Sequence, residues 1–142
     1  MDTVGHHLYF MMLCMGMADG YTSDEEKEVC KTRASEQVAR LCERDGWDKY
    51  DIIDKKEQDI LKDAAAHLLF SIQTQTLWEN FGESVKMMPP SLNHDQTMLN
   101  DLYDALKKVA EADDTTGNEE FDVLEFVYAE WGLVRYGELH RL

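Results

Sequence analysis

Basic residues are scarce in this 142-residue chain, where 14 lysines and arginines stand against 29 aspartates and glutamates. The formal net charge at pH 7 is -15. A protein that binds nucleic acid directly needs a basic surface to contact phosphates, so we do not expect a nucleic-acid partner. The same charge favours divalent cations or basic protein surfaces as partners.

Cysteine is also rare, with Cys14, Cys30 and Cys42 as the three examples. They lack the close pairs of a zinc site, and an odd number does not suit a complete disulfide framework. A chain of this length buries roughly two thirds of its unfolded surface and does not need disulfides to fold. We therefore predict reduced thiols in a cytoplasmic protein.

The apolar run over residues 8–18 is about half as long as a membrane-spanning helix. No lysine or arginine precedes it, as the start of a signal peptide would require. We expect this run to be a buried helix of the fold, with no targeting segment and no membrane insertion.

Strand-like alternation is missing, whereas apolar residues recur throughout at helical spacing. We predict an all-α fold in a single domain covering residues 1–142. The strongest signal is a repeat of adjacent apolar pairs between Ile60 and Ile72, which predicts a central helix. The residues predicted to be buried in the core are Leu68, Leu69, Leu106, Leu124 and Val127.

The only two prolines are adjacent, at positions 89 and 90. Because the residue before a proline is pushed out of the α region, we expect a helix to end here. Ser91 or Asn93 would then cap the next helix. Gly132 is expected to end the last full helix by adopting a left-handed conformation.

The chain begins and ends with similar segments. Residues 9–30 align with residues 103–124 without a gap, so that seven positions match in character. The matched pairs are Met12 with Leu106, Met15 with Val109, Ala18 with Ala112, Asp19 with Asp113, Glu25 with Glu119, Glu26 with Glu120, and Val29 with Val123. This pattern predicts two helix-turn-helix units related as an internal repeat.

The repeat also suggests a metal site. If the two units pack about a pseudo-twofold axis, Asp19 and Glu26 face Asp113 and Glu120 and form a cluster of four carboxylates. Carboxylate oxygens are hard ligands, so the matching ions are Ca²⁺, Mg²⁺ or Mn²⁺.

Three stretches resemble the TerB-like tellurite-resistance family: M-A-D-G-Y-T-S-D-E-E from Met17, E-A-D-D-T-T-G-N-E-E from Glu111, and V-Y-A-E-W-G-L from Val127. The resemblance covers the outer thirds of the chain and implies an all-helical fold of about seven helices. It also implies metal binding at the four matched acids and a part in a stress or tellurite-resistance-type response. The second unit departs from the pattern, since Asp114 stands where the first unit has Gly20.

Two alternatives explain the same acids. An aspartate at a helix end and a glutamate at the third helical position both serve as capping groups, so the turn acids can act structurally in an acidic protein-interaction module. Such a module would bind a basic or amphipathic partner. The other alternative is an EF-hand-like loop from Asp114 to Glu125, although Glu119 occupies the position where that loop requires glycine.

Motifs for catalysis are missing from the sequence. It contains no glycine-rich phosphate loop and no Ser-His-Asp pattern, and the five histidines lack the paired spacing of a zinc site. We therefore expect a non-enzymatic protein without an organic cofactor, whose histidines have packing or surface roles.

Overall fold

The computed structural model describes residues 3–16, 24–52, 57–111 and 118–133. These residues form six α-helices, one short 3-10 helix and no strand, which confirms the all-α prediction. The α-helices are α1 (Val4–Gly16), α2 (Asp24–Asp45), α3 (Glu57–Gln73), α4 (Leu77–Ser91), α5 (Gln96–Glu111) and α6 (Asn118–Glu130). The 3-10 helix is Trp47–Tyr50. None of the described helices combines the length and apolar character needed to cross a membrane.

Helix α1 lies at the centre of the bundle. Every side chain from Leu8 to Met15 is buried, and α2, α3, α4, α5 and the 3-10 helix all contact α1. The prediction that α3 is the central helix is therefore wrong. The physical reason is that α1 is apolar on all sides in this stretch, whereas α3 carries charged residues on part of its circumference.

One glycine allows the start of α1 to approach the 3-10 helix closely. A Cβ atom at Gly5 would lie 2.9 Å from the Tyr50 carbonyl oxygen and 2.8 Å from Ile52 Cγ1. Such distances are too short for a side chain, so glycine is required at this crossing. The apolar residues buried around α1 come from all six α-helices and form one cluster.

Four of the five predicted core residues are buried, namely Leu68, Leu106, Leu124 and Val127. Leu69 is 43% exposed, so the prediction of its burial is wrong. Adjacent residues point about 100° apart on a helix, so both members of an apolar pair cannot face α1 equally. In α3 the first members, Ile60, Ala64 and Leu68, are the buried ones.

The two prolines do not end a helix, contrary to the prediction, because α4 continues through them to Ser91. Pro89 has no N–H to donate to the carbonyl of Val85 one turn earlier. The indole Nε1–H of Trp131 donates to that carbonyl instead, at 2.7 Å, in a buried hydrogen bond. A side chain that follows α6 thus takes the place of the missing backbone donor.

Helix α5 is capped by Asp95 and not by Ser91 or Asn93. The Asp95 Oδ1 atom accepts the backbone N–H groups of Thr97 at 3.0 Å and Met98 at 3.2 Å. Asn93 belongs to the end of α4, where its positive φ of 54° closes the helix. Helix α4 therefore ends at Ser91, slightly beyond the end that was predicted at the prolines.

Gly132 ends α6 as predicted, with a φ of 60°. The N–H of Leu133 donates to the Tyr128 carbonyl at 3.2 Å, and the N–H of Gly132 donates to the Ala129 carbonyl at the same distance. These two bonds form a Schellman motif. The motif fixes the chain direction beside Trp131, whose side chain reaches α4.

We expect Trp131→Phe to lower the free energy of unfolding by about 1–3 kcal/mol, because the Val85 carbonyl stays buried without a donor. In a Pro89→Ala background, the alanine restores the backbone N–H one turn after Val85, so the same Trp131→Phe change should be less damaging. Urea unfolding of the four proteins measures this coupling. Equal losses in both backgrounds would show that Trp131 does not compensate for the proline.

Candidate functional site

The four acids of the predicted cation site lie outside the part of the chain that the structure describes. Asp19 and Asp113 fall in residues 17–23 and 112–117, and the side chains of Glu26 and Glu120 are also outside it. The helices on either side of each predicted turn contact each other, α1 with α2 and α5 with α6, and α1 also contacts α5. The second helices differ in length, with 22 residues in α2 and 13 in α6. The internal repeat and a meeting of the two turns therefore stay predictions.

The EF-hand window also begins outside the described residues, and its last member, Glu125, is exposed on α6. Among the residues that are described, no group of three or more His, Cys, Asp or Glu side chains is arranged to hold a metal ion.

A groove runs between α2 and α3. Both helices pack on α1, but they make little direct contact with each other. The groove has a volume of about 620 Å³, which is within the range of about 300–1,000 Å³ seen for ligand sites. The sequence patterns did not predict this opening.

The α3 wall of the groove is mixed, because three of its five lining residues are polar or charged and two, Leu61 and Ala65, are apolar. Beyond the lining, Leu69 and Ile72 follow on the same helical face at spacings of four and three residues. We call these four residues the α3 stripe. Leu69 and Ile72 are 43% and 42% exposed. The adjacent apolar pairs of α3 were the sequence signal for the stripe, because their second members are less buried than their first members.

The α2 wall is polar. Its lining residues include Glu28, Lys31, Thr32, Ser35 and Glu36. The Lys31 ammonium lies 3.6 Å from the Glu28 carboxylate on the same helix, so these two charges largely neutralise each other. The groove thus has a polar α2 wall and a mixed α3 wall, from which the α3 stripe continues along the helix.

Glu57 stands at the α3 side of the groove and is tied to the central helix. Its Oε1 atom accepts the hydroxyl of Tyr9 at 2.8 Å. Burial raises the pKa of the Tyr9 phenol well above its usual range, and the hydrogen bond to Glu57 raises it further. Tyr9 therefore stays protonated and holds Glu57 as an acceptor at physiological pH.

A buried polar pair joins α1 to α4. The His7 Nδ1 atom lies 2.7 Å from the Ser84 hydroxyl, and both side chains are buried. Burial lowers the pKa of His7 below its ordinary 6.5. This histidine has the packing role that the sequence predicted, and its contact with Ser84 is closed off from solvent.

The side chains of Cys14 and Cys42 are buried. Burial raises the pKa of the Cys42 thiol to about 12, and the negative charges of Glu57 and Asp45 contribute. Because the thiolate is the reactive form, Cys42 is unreactive at neutral pH. The side chain of Cys30 lies outside the described residues.

Comparisons of the chain with protein-family models, with curated proteins and with solved structures gave no match. The TerB-like resemblance therefore depends on the three sequence stretches that carry it.

We expect the free energy of unfolding to fall as the pH drops below 6.5, because the unfolded chain takes up a proton at His7 that the folded chain binds less readily. Above that pH, His7 is neutral in both states and contributes no pH dependence. Urea unfolding at intervals from neutral to acidic pH measures the effect. His7→Gln should show a smaller loss than the unmodified protein, and parallel curves would contradict a depressed pKa at His7.

Proposed function

We propose that this protein is a non-enzymatic protein-interaction module that binds a partner in the α2–α3 groove. The observation that supports it most directly is the α3 stripe, whose first two residues line an open volume of about 620 Å³ and whose last two are exposed beyond it. Single exposed apolar residues are common on protein surfaces, but apolar residues grouped along one wall of a groove are typical of binding sites.

The shape and chemistry of the groove suit a helical ligand. An amphipathic helix bound in a groove places apolar side chains at every third or fourth residue against an apolar wall. The α3 stripe offers matching contacts over three turns, from Leu61 to Ile72. The polar α2 wall would face the hydrophilic edge of the same ligand.

A second candidate function is divalent-cation binding by Asp19, Glu26, Asp113 and Glu120 in a stress or tellurite-resistance-type response. The repeated spacing of these acids supports it, together with the TerB-like resemblance. The contact between α1 and α5 also favours it, because that contact brings the first helices of the two predicted units side by side. Cation binding and partner binding use different parts of the chain and are compatible.

We expect an amphipathic helical peptide to bind the groove and to shift the NMR signals of groove-lining residues. Three versions of one peptide, with lysine, glutamine or glutamate on the polar face, form the test panel. Leu69→Gln and Ile72→Gln should each weaken the best binder roughly tenfold, since each removes an apolar contact worth about 1.5 kcal/mol or more.

Phe70→Gln is the matched control for these variants. Phe70 lies on the same helix and is 56% exposed, but it points away from the α3 stripe. Its substitution should leave peptide binding unchanged. The proposed function is wrong if all three peptides fail to shift groove residues, or if Phe70→Gln weakens binding as much as Leu69→Gln.

For the cation, we expect Ca²⁺, Mg²⁺ or Mn²⁺ to raise the melting temperature, since an ion that binds only the folded state stabilises it by about 2.7 kcal/mol at a hundredfold excess over Kd. Asp19→Asn and Asp113→Asn should each remove most of that gain. If the acids only cap helices, each substitution lowers stability by about 0.5–2 kcal/mol without any dependence on metal. Loss of calcium binding in Glu125→Gln alone would instead indicate an EF-hand.

A further inference from the structure

We infer that the occupant of the α2–α3 groove is a basic amphipathic helix from a partner protein. This inference rests on the proposed function and adds the charge of the ligand to it. Three observations carry it: the polar α2 wall opposite the α3 stripe, the balance of charges among the described lining residues, and the net charge of the chain.

The two walls require a ligand that is itself two-sided. A uniformly apolar segment would desolvate Glu36, Thr32 and Ser35 on α2 without giving them hydrogen-bond partners, which is unfavourable. A uniformly polar segment would leave the α3 stripe without apolar contacts. An amphipathic helix satisfies both walls in one orientation.

The charges at the groove favour a cationic polar face. Among the lining residues that the structure describes, Glu28, Glu36 and Glu57 stand with Lys31 and Lys62, so acids exceed lysines by one. Lys31 is already paired with Glu28, which leaves Lys62 on the α3 wall and Glu36 as an exposed carboxylate on the α2 wall. A lysine or arginine on the ligand would find its counter-charge there.

The charge of the whole chain argues against a second copy as the occupant. Each copy carries a formal charge of -15, so two copies approaching one another repel at long range. The same field attracts a basic segment and raises its rate of association.

The experiment compares the lysine, glutamine and glutamate versions of one helical peptide of about 18 residues, long enough to span the α3 stripe at about 1.5 Å per residue. Fluorescence anisotropy of the labelled peptides gives each Kd. At low salt we expect the lysine version to bind roughly tenfold more tightly than the glutamate version, and the difference to shrink as salt screens the charges. Equal affinities, or a preference for the glutamate version, would overturn the inference.

Reversing single charges on the protein tests whether the lysine peptide is recognised at the α2 wall. Glu36→Lys should weaken binding of the lysine peptide several-fold, whereas Glu130→Lys should change it less. Both residues are exposed and both substitutions alter the net charge equally, but Glu130 lies on α6, away from the groove lining. Equal losses in the two variants would show that net charge alone acts, which contradicts recognition at the α2 wall.

The outcomes separate this inference from the function on which it rests. If the glutamine peptide binds with the expected sensitivity to Leu69→Gln while the lysine peptide has no advantage, the groove is an interaction site and only the basic partner is rejected. If all three peptides fail to shift groove residues, both proposals fall together.

Discussion

Burial of α1 on every side is the constraint on which the rest of the bundle depends. A helix whose central residues are all apolar has to be surrounded, and four other α-helices together with the 3-10 helix do this. Each surrounding helix needs only one apolar face toward α1, and its remaining surface is free to be polar. This explains the position of the α2–α3 groove, because α2 and α3 each cover part of the apolar surface of α1 without having to contact each other.

In helix α4, a backbone hydrogen-bond donor that is missing at a proline is replaced by a side chain from another part of the chain. Pro89 removes a backbone donor from α4, and a buried carbonyl without a donor is unfavourable. Trp131 supplies the donor and at the same time buries a large aromatic ring. The end of α6 is thus fixed to α4 through the carbonyl that the proline leaves without a backbone partner.

Periodicity predicted the helices well, since the buried faces of α5 and α6 follow the apolar residues of the sequence, as Leu106 and Val127 show. It failed where tertiary contacts decide the outcome. Leu68 and Leu69 are equally apolar, and the position of α1 determines which of them is buried. The proline rule failed at Pro89 because the compensating donor lies far along the chain, at Trp131. The acidic turns were predicted from a repeat, and their residues fall outside those the structure describes.

The groove stays open for a physical reason that also bears on its use. Closing α2 onto α3 would bury the α3 stripe, which is favourable, but it would also press Glu36 and the Lys31–Glu28 pair against apolar side chains. Taking charges out of water is unfavourable unless they gain new partners. A ligand with an apolar face and a charged edge supplies both, and so can bury the stripe while leaving the charges of α2 paired.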